Sequence, residues 1–83
     1  DLIIRNNKIY QINFSSDPEA PVNASTNAQP LIVYGTDGDE PIYNLLIEGN
    51  EIFNCRTGYS EALAINGNVD GFWIINNRVY QIW

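Results

Sequence analysis

Three gapless copies of one twelve-residue phrase, a two-residue alternation of apolar side chains within each copy, and a further apolar run between copies together predict an all-β chain. The fold they point to is a right-handed parallel β-helix of about two and a half coils, with three short strands per coil. A β-sandwich is the main rival, since short alternating strands also build sandwiches. The copies run Asp1–Ile12, Asn44–Cys55 and Gly71–Ile82. The whole of 1–83 reads as a single β-helix segment, the size of one small domain.

In the first half of each copy, Leu2 and Ile4, Leu45 and Ile47, and Phe72 and Ile74 share one parity, as a strand with one buried face requires. Turn dipeptides follow: Asn6-Asn7, Gly49-Asn50 and Asn76-Asn77. Asn and Gly tolerate positive φ, so each dipeptide can bend the backbone sharply into a second strand. That strand takes its apolar positions from Ile9 and Ile12, Ile52 and Cys55, and Val79 and Ile82. A third strand comes from the runs Leu31–Thr36 and Ala62–Asn68, which align Val33 with Ile65 and Gly35 with Gly67. Residues 13–30, rich in Ser, Asn and Ala and carrying Pro18, Pro21 and Pro30, read as a loop inserted into the first period.

If equivalent residues stack, each becomes its counterpart's neighbour at about 4.8 Å, and outward columns should avoid like charges. Lys8, Glu51 and Arg78 form a column of alternating sign, and Arg5 faces Glu48. Gln11, Asn54 and Gln81 form an amide column expected to bond side chain to side chain. Tyr10, Phe53 and Tyr80 form an aromatic column, while Ile3, Leu46 and Trp73 form an outward apolar one. Either could offer sugars a stacking surface, and either could simply be a ladder that holds coils together.

Composition narrows the function. Ten acids against four bases give a net charge of −6, which disfavours nucleic acid and anionic membranes as partners. The same charge repels an acidic polysaccharide unless a divalent cation bridges the two. No segment approaches the length of a membrane span. The chain has no His, which removes serine–histidine and cysteine–histidine nucleophiles from these residues. Its one cysteine, Cys55, allows no intrachain disulfide; aligned with Ile12 and Ile82, it reads as a buried apolar thiol. A start at Asp1 and the lack of Met suggest a piece of a longer protein.

The phrases Leu-Leu-Ile-Glu-Gly-Asn-Glu-Ile-Phe-Asn (45–54) and Ser-Glu-Ala-Leu-Ala-Ile-Asn-Gly-Asn-Val-Asp-Gly-Phe (60–72) closely resemble bacterial right-handed β-helix repeat proteins of the pectate-lyase-like superfamily. The resemblance covers nearly the whole chain and is weakest over 13–30. It implies an extracellular protein that binds or degrades polysaccharide, often by calcium-assisted β-elimination of uronate sugars. In such enzymes a Lys or Arg removes the proton beside the carboxylate, and several Asp residues hold calcium. Full-length members have many more coils and usually a capping helix, neither of which this sequence contains.

If a lyase-like cleft lies along the third strand, Tyr34 and Asn66 would hydrogen-bond sugar hydroxyls, and Glu61 or Asp70 would ligate calcium or take a proton. Against this, Asn66-Gly67 and Asp70-Gly71 are also ordinary turn dipeptides. The acidic turn Thr36-Asp-Gly-Asp-Glu40 has the oxygen density that calcium favours, with Asp37 and Asp39 as its metal candidates, but lacks the spacing of a dedicated calcium loop. Lys8 aligns with Glu51, and an opposite charge beside it would favour the charged form over the free amine that a base needs. Arg56, just after a strand, is a weaker candidate for substrate contact, and Asn13-Phe-Ser and Asn23-Ala-Ser are glycosylation sequons where the source glycosylates. The non-enzymatic alternative is a structural or adhesive segment whose raw strand edges stack end to end.

Overall fold

In the computed structural model, which describes all 83 residues, the chain forms eight strands and no helix. They are β1 (Leu2–Arg5), β2 (Lys8–Tyr10), β3 (Leu31–Gly35), β4 (Ile42–Glu48), β5 (Glu51–Cys55), β6 (Leu63–Gly67), β7 (Val69–Ile75) and β8 (Arg78–Ile82). Three parallel sheets result, ordered β1-β4-β7, β2-β5-β8 and β3-β6. Repetition produces this pairing, because strands with the same apolar alternation bury the same face only when equivalent residues lie side by side. The register is the one the copies impose: Leu45 pairs with Leu2 and Phe72, Ile47 with Ile4 and Ile74, and Phe53 with Tyr10 and Tyr80. In the third sheet Val33 pairs with Ile65 and Gly35 with Gly67.

The strands therefore form layers: β1, β2 and β3, then β4, β5 and β6, then β7 and β8. The Cα extents are 41 × 27 × 13 Å, a slab whose short axis suits a stack three strands deep at about 4.8 Å spacing. The middle layer holds the core. Leu45, Ile47, Ile52 and Cys55 are all 0% exposed. Val33, Leu45 and Ile47 pack with Ile4, Leu31, Ile42, Leu63, Ile65 and Val69.

The predicted bends fall at Asn6 (φ 58°), Gly49 (68°) and Asn76 (54°). Beside them Asn7, Asn50 and Asn77 form a hydrogen-bonded ladder. Asn50 Oδ1 accepts from the Asn7 backbone N–H (3.0 Å) and from Asn7 Nδ2 (2.9 Å). Asn77 Oδ1 accepts the matching pair from Asn50, at 2.9 and 3.1 Å. The remaining amide hydrogens bond backbone, Asn50 to the Ile4 carbonyl (3.0 Å) and Asn77 to the Ile47 carbonyl (2.9 Å). Asn50 can be 1% exposed because its amide is satisfied on every side.

Two outward columns differ from expectation. Gln11, Asn54 and Gln81 do not bond side chain to side chain; they adopt φ of 56°, 54° and 53° and form a second bend, with the Gln11 N–H donating to the Asn54 carbonyl at 3.0 Å. The backbone's need to turn sets that column, not amide pairing. In the charged columns Arg5 Nε reaches Glu48 at 2.9 Å, but Lys8 makes no ion pair with Glu51. Glu51 instead lies 3.9 Å from Arg78 and accepts a short hydrogen bond from the Tyr80 hydroxyl. The aromatic column stacks, with Tyr10–Phe53 centroids 5.2 Å apart at 18° and Phe53–Tyr80 centroids 5.3 Å apart at 7°.

Candidate functional site

β3 and β6 place Tyr34 and Asn66 directly side by side. Their neighbours Val33 and Gly35 are buried, and strand alternation turns Tyr34 outward, where it is 59% exposed. Asn66 is exposed as well. At the C-terminal ends of these strands the backbones come very close: a Cβ on Gly67 (φ 76°) would strike the Gly35 carbonyl. Only glycine meets both demands there, so these two residues fix the end of the sheet.

Asn68 extends the close approach around the corner. Its N–H donates to the Gly35 carbonyl (2.9 Å), and its own carbonyl accepts from the Ile42 N–H (3.0 Å). Its side-chain amide donates to the carbonyls of Asp37 (2.9 Å) and Gly38 (3.3 Å). The acidic turn is thereby tied to the layer above. Beyond that corner Asp70 of β7 pairs with Tyr43 of β4, and both are exposed. The structure thus gathers Tyr34, Asn66, Asp70 and the acidic turn at one edge of the slab. Glu61 stands apart, exposed two residues before the opposite end of β6 and outside the strand that carries Asn66.

Asp37 and Asp39 are exposed, and Asp37 Oδ1 accepts the Asp39 N–H at 2.9 Å, an Asx-turn that serves the loop itself. No three carboxylate, thiol or imidazole side chains converge anywhere in the chain. Arg56 is also committed internally. Its guanidinium donates to the carbonyls of Asp17 (3.2 Å), Pro18 (3.1 Å) and Ala20, and lies 4.5 Å over the Phe14 ring. It clamps the 13–30 loop rather than offering a free cation. One cleft, of about 220 Å³, lies beside that loop among Asn13, Ser16, Asn54, Arg56 and Trp83; of the candidates read from the sequence only Arg56 lines it.

The aromatic ladder cannot serve as a broad stacking face, because rings 7° and 18° from parallel cover one another and leave mainly their edges outward. It creates one local electrostatic effect. The bond to Glu51 holds the Tyr80 hydroxyl above its ordinary pKa, since ionising it would place two negative charges together. The exposed apolar column is real, with Ile3 and Trp73 both outward.

Tyr43 is the site residue passed over in the sequence. It stands before Asn44 as Asp70 stands before Gly71, so extending the alignment by one residue exposes the pair. The cleft had no such signal, because its walls come largely from a loop with no counterpart in the other copies. No protein-family model, curated protein or solved structure matches this chain.

Proposed function

We propose that this chain is a segment of an extracellular right-handed parallel β-helix that binds polysaccharide along the β3–β6 edge. Three features support the architecture: parallel sheets, strands from each sheet recurring in a fixed order, and a core that joins the β1-β4-β7 and β3-β6 sheets. The hand follows from the general preference of parallel crossovers, right-handed in about 98% of cases. The extracellular setting rests on the resemblance to the pectate-lyase-like superfamily alone.

One observation carries the binding role: Tyr34 and Asn66 lie side by side, and both are exposed. A ring beside an amide suits a sugar, whose C–H face packs on the ring while its hydroxyls bond the amide. At net charge −6 the natural ligand is a neutral polysaccharide, or a uronate polymer that brings calcium to single exposed carboxylates rather than to a three-acid site. Binding requires only this surface, and no catalytic centre is assigned to it.

Affinity electrophoresis through neutral and uronate polysaccharides, with and without calcium, tests this. Retardation should occur in at least one gel, and Tyr34→Ala should weaken it about tenfold, the loss of roughly 1.4 kcal/mol. Trp83→Ala should leave it unchanged. Retardation lost with Trp83 rather than Tyr34 would move the ligand to the loop cleft. If the parent protein is a lyase, ultraviolet absorbance from unsaturated uronate should grow with calcium and vanish with chelator.

A second function, a structural or adhesive segment stacking through its ends, is favoured by a separate observation. Apolar side chains that face the interior remain open on both outer layers, among them Leu2 (40% exposed), Ile74 (47%) and Val79 (45%).

A further inference from the structure

The two broad faces of the slab are complementary to each other. On the β7–β8 face, the Asn77 backbone N–H donates to nothing, although the equivalent groups of Asn7 and Asn50 each donate to the next asparagine. On the β1–β2 face, Asn7 Oδ1 accepts nothing, although the Oδ1 atoms of Asn50 and Asn77 each accept two hydrogen bonds. The ladder therefore ends in an unused donor on one face and an unused acceptor on the other. The apolar positions match in the same sense. Phe72, Ile74 and Val79 lie open above, and Leu2, Tyr10 and Ile12 lie open below.

From this we infer that a second copy of the chain seats its β1–β2 face on the β7–β8 face of the first, head to tail, with Asn77 donating to Asn7 of the next copy. The inference rests on the β-helix architecture proposed above and not on polysaccharide binding, and it concerns the 83-residue chain by itself, since in a longer β-helix the adjoining coils would take the second copy's place in the same register. Head-to-tail stacking keeps strands parallel and extends each existing column: Phe72 to Leu2, Ile74 to Ile4, Tyr80 to Tyr10. Because continued parallel strands relate successive copies mainly by translation, this head-to-tail interface does not close into a ring, and copies add in an open series. Two features oppose it. The third sheet has only two strands and leaves a gap at each junction. Arg78 would also meet Lys8 of the next copy, a like-charge contact between chains that each carry −6. Salt should therefore strengthen this association, the reverse of one driven by opposite charges.

Sedimentation velocity of the 83-residue chain across a concentration series, at low and high salt, provides the test. An open series of oligomers, shifted to larger species by salt, is expected. Lys8→Gln removes the like-charge contact without breaking an ion pair, and should raise the association constant several-fold and flatten its salt dependence. Ile74→Lys blocks one face and Leu2→Lys the other, so each variant should sediment as a monomer. Mixed, they should form a heterodimer and nothing larger. Far-UV circular dichroism of each variant separates a blocked face from a lost fold. A folded monomer at every concentration, or a dimer formed by either blocked variant alone, would overturn the inference and leave the β-helix architecture standing.

Discussion

The middle copy of the phrase, Asn44–Cys55, and the last, Gly71–Ile82, share a sequence pattern, a turn and a backbone path, yet live in different surroundings. Ile47 and Ile52 are 0% exposed, whereas their partners Ile74 and Val79 are 47% and 45% exposed. The difference lies in the neighbours: the middle strands are flanked on both sides and the last strands on one. In a stacked array, stability belongs to interfaces between repeats as much as to the repeats themselves.

Substitutions at matched positions should expose that contrast, and the largest difference is expected in the core. Ile47→Ala should cost about 3–5 kcal/mol and Ile74→Ala roughly half or less, because a cavity forms only where atoms close the space on all sides. Chemical denaturation of the two variants measures it, and the first loss is large enough to unfold a domain this small. Equal losses would break the comparison.

The ladder gives the next contrast. Asn50→Ala removes an amide that joins both neighbouring layers, and should cost about 3 kcal/mol, whereas Asn7→Ala, at the open end, should cost about 1 kcal/mol. Thermal melts of the pair rank them.

A smaller effect separates the loop from the repeat. Arg56→Ala should leave global stability within about 1 kcal/mol while accelerating amide hydrogen exchange in residues 14–26, since the lost contacts are local to that loop. Unchanged exchange there would remove Arg56 as the loop's clamp.

The smallest concerns pH. Tyr80 has a raised pKa in the folded chain because its hydroxyl donates to Glu51. A group with a raised folded pKa contributes stability that is complete below its unfolded pKa, about 10, and is lost as pH climbs through the folded value. Stability should thus fall in the alkaline range, and Glu51→Gln should reduce that dependence. Spectrophotometric titration of the tyrosines follows the ionisation directly.

How much could be read in advance depended on whether a residue repeats. The columns were legible because Leu2, Leu45 and Phe72 must share a face for any strand alternation to work, and the same constraint fixed the asparagine bends. The role of Gln11, Asn54 and Gln81 was not legible, because glutamine gives no sign of positive φ and only the path of the chain demands it. The clamping role of Arg56 was not legible for a related reason. Its partners are carbonyls of the unrepeated loop, and backbone acceptors leave no trace in residue identity. At the candidate site, the Tyr34–Asn66 pair followed from aligning Gly35 with Gly67, while residue types alone do not show that Glu61 falls outside β6.

The sheets, the columns and the candidate site all depend on parallel, in-register stacking of the three phrases, and nuclear Overhauser spectroscopy of methyl-labelled protein tests that most directly. Cross-peaks are expected from Ile47 to both Ile4 and Ile74, and from Ile52 to both Ile9 and Val79; within one chain Ile4 is too far from Ile74 for a direct peak, so any such peak comes from a stacked second copy and should vanish in the Leu2→Lys variant. Antiparallel contacts between strands of the same phrase, such as Ile4 with Ile9 across the Asn6-Asn7 turn, in place of those columns would contradict it.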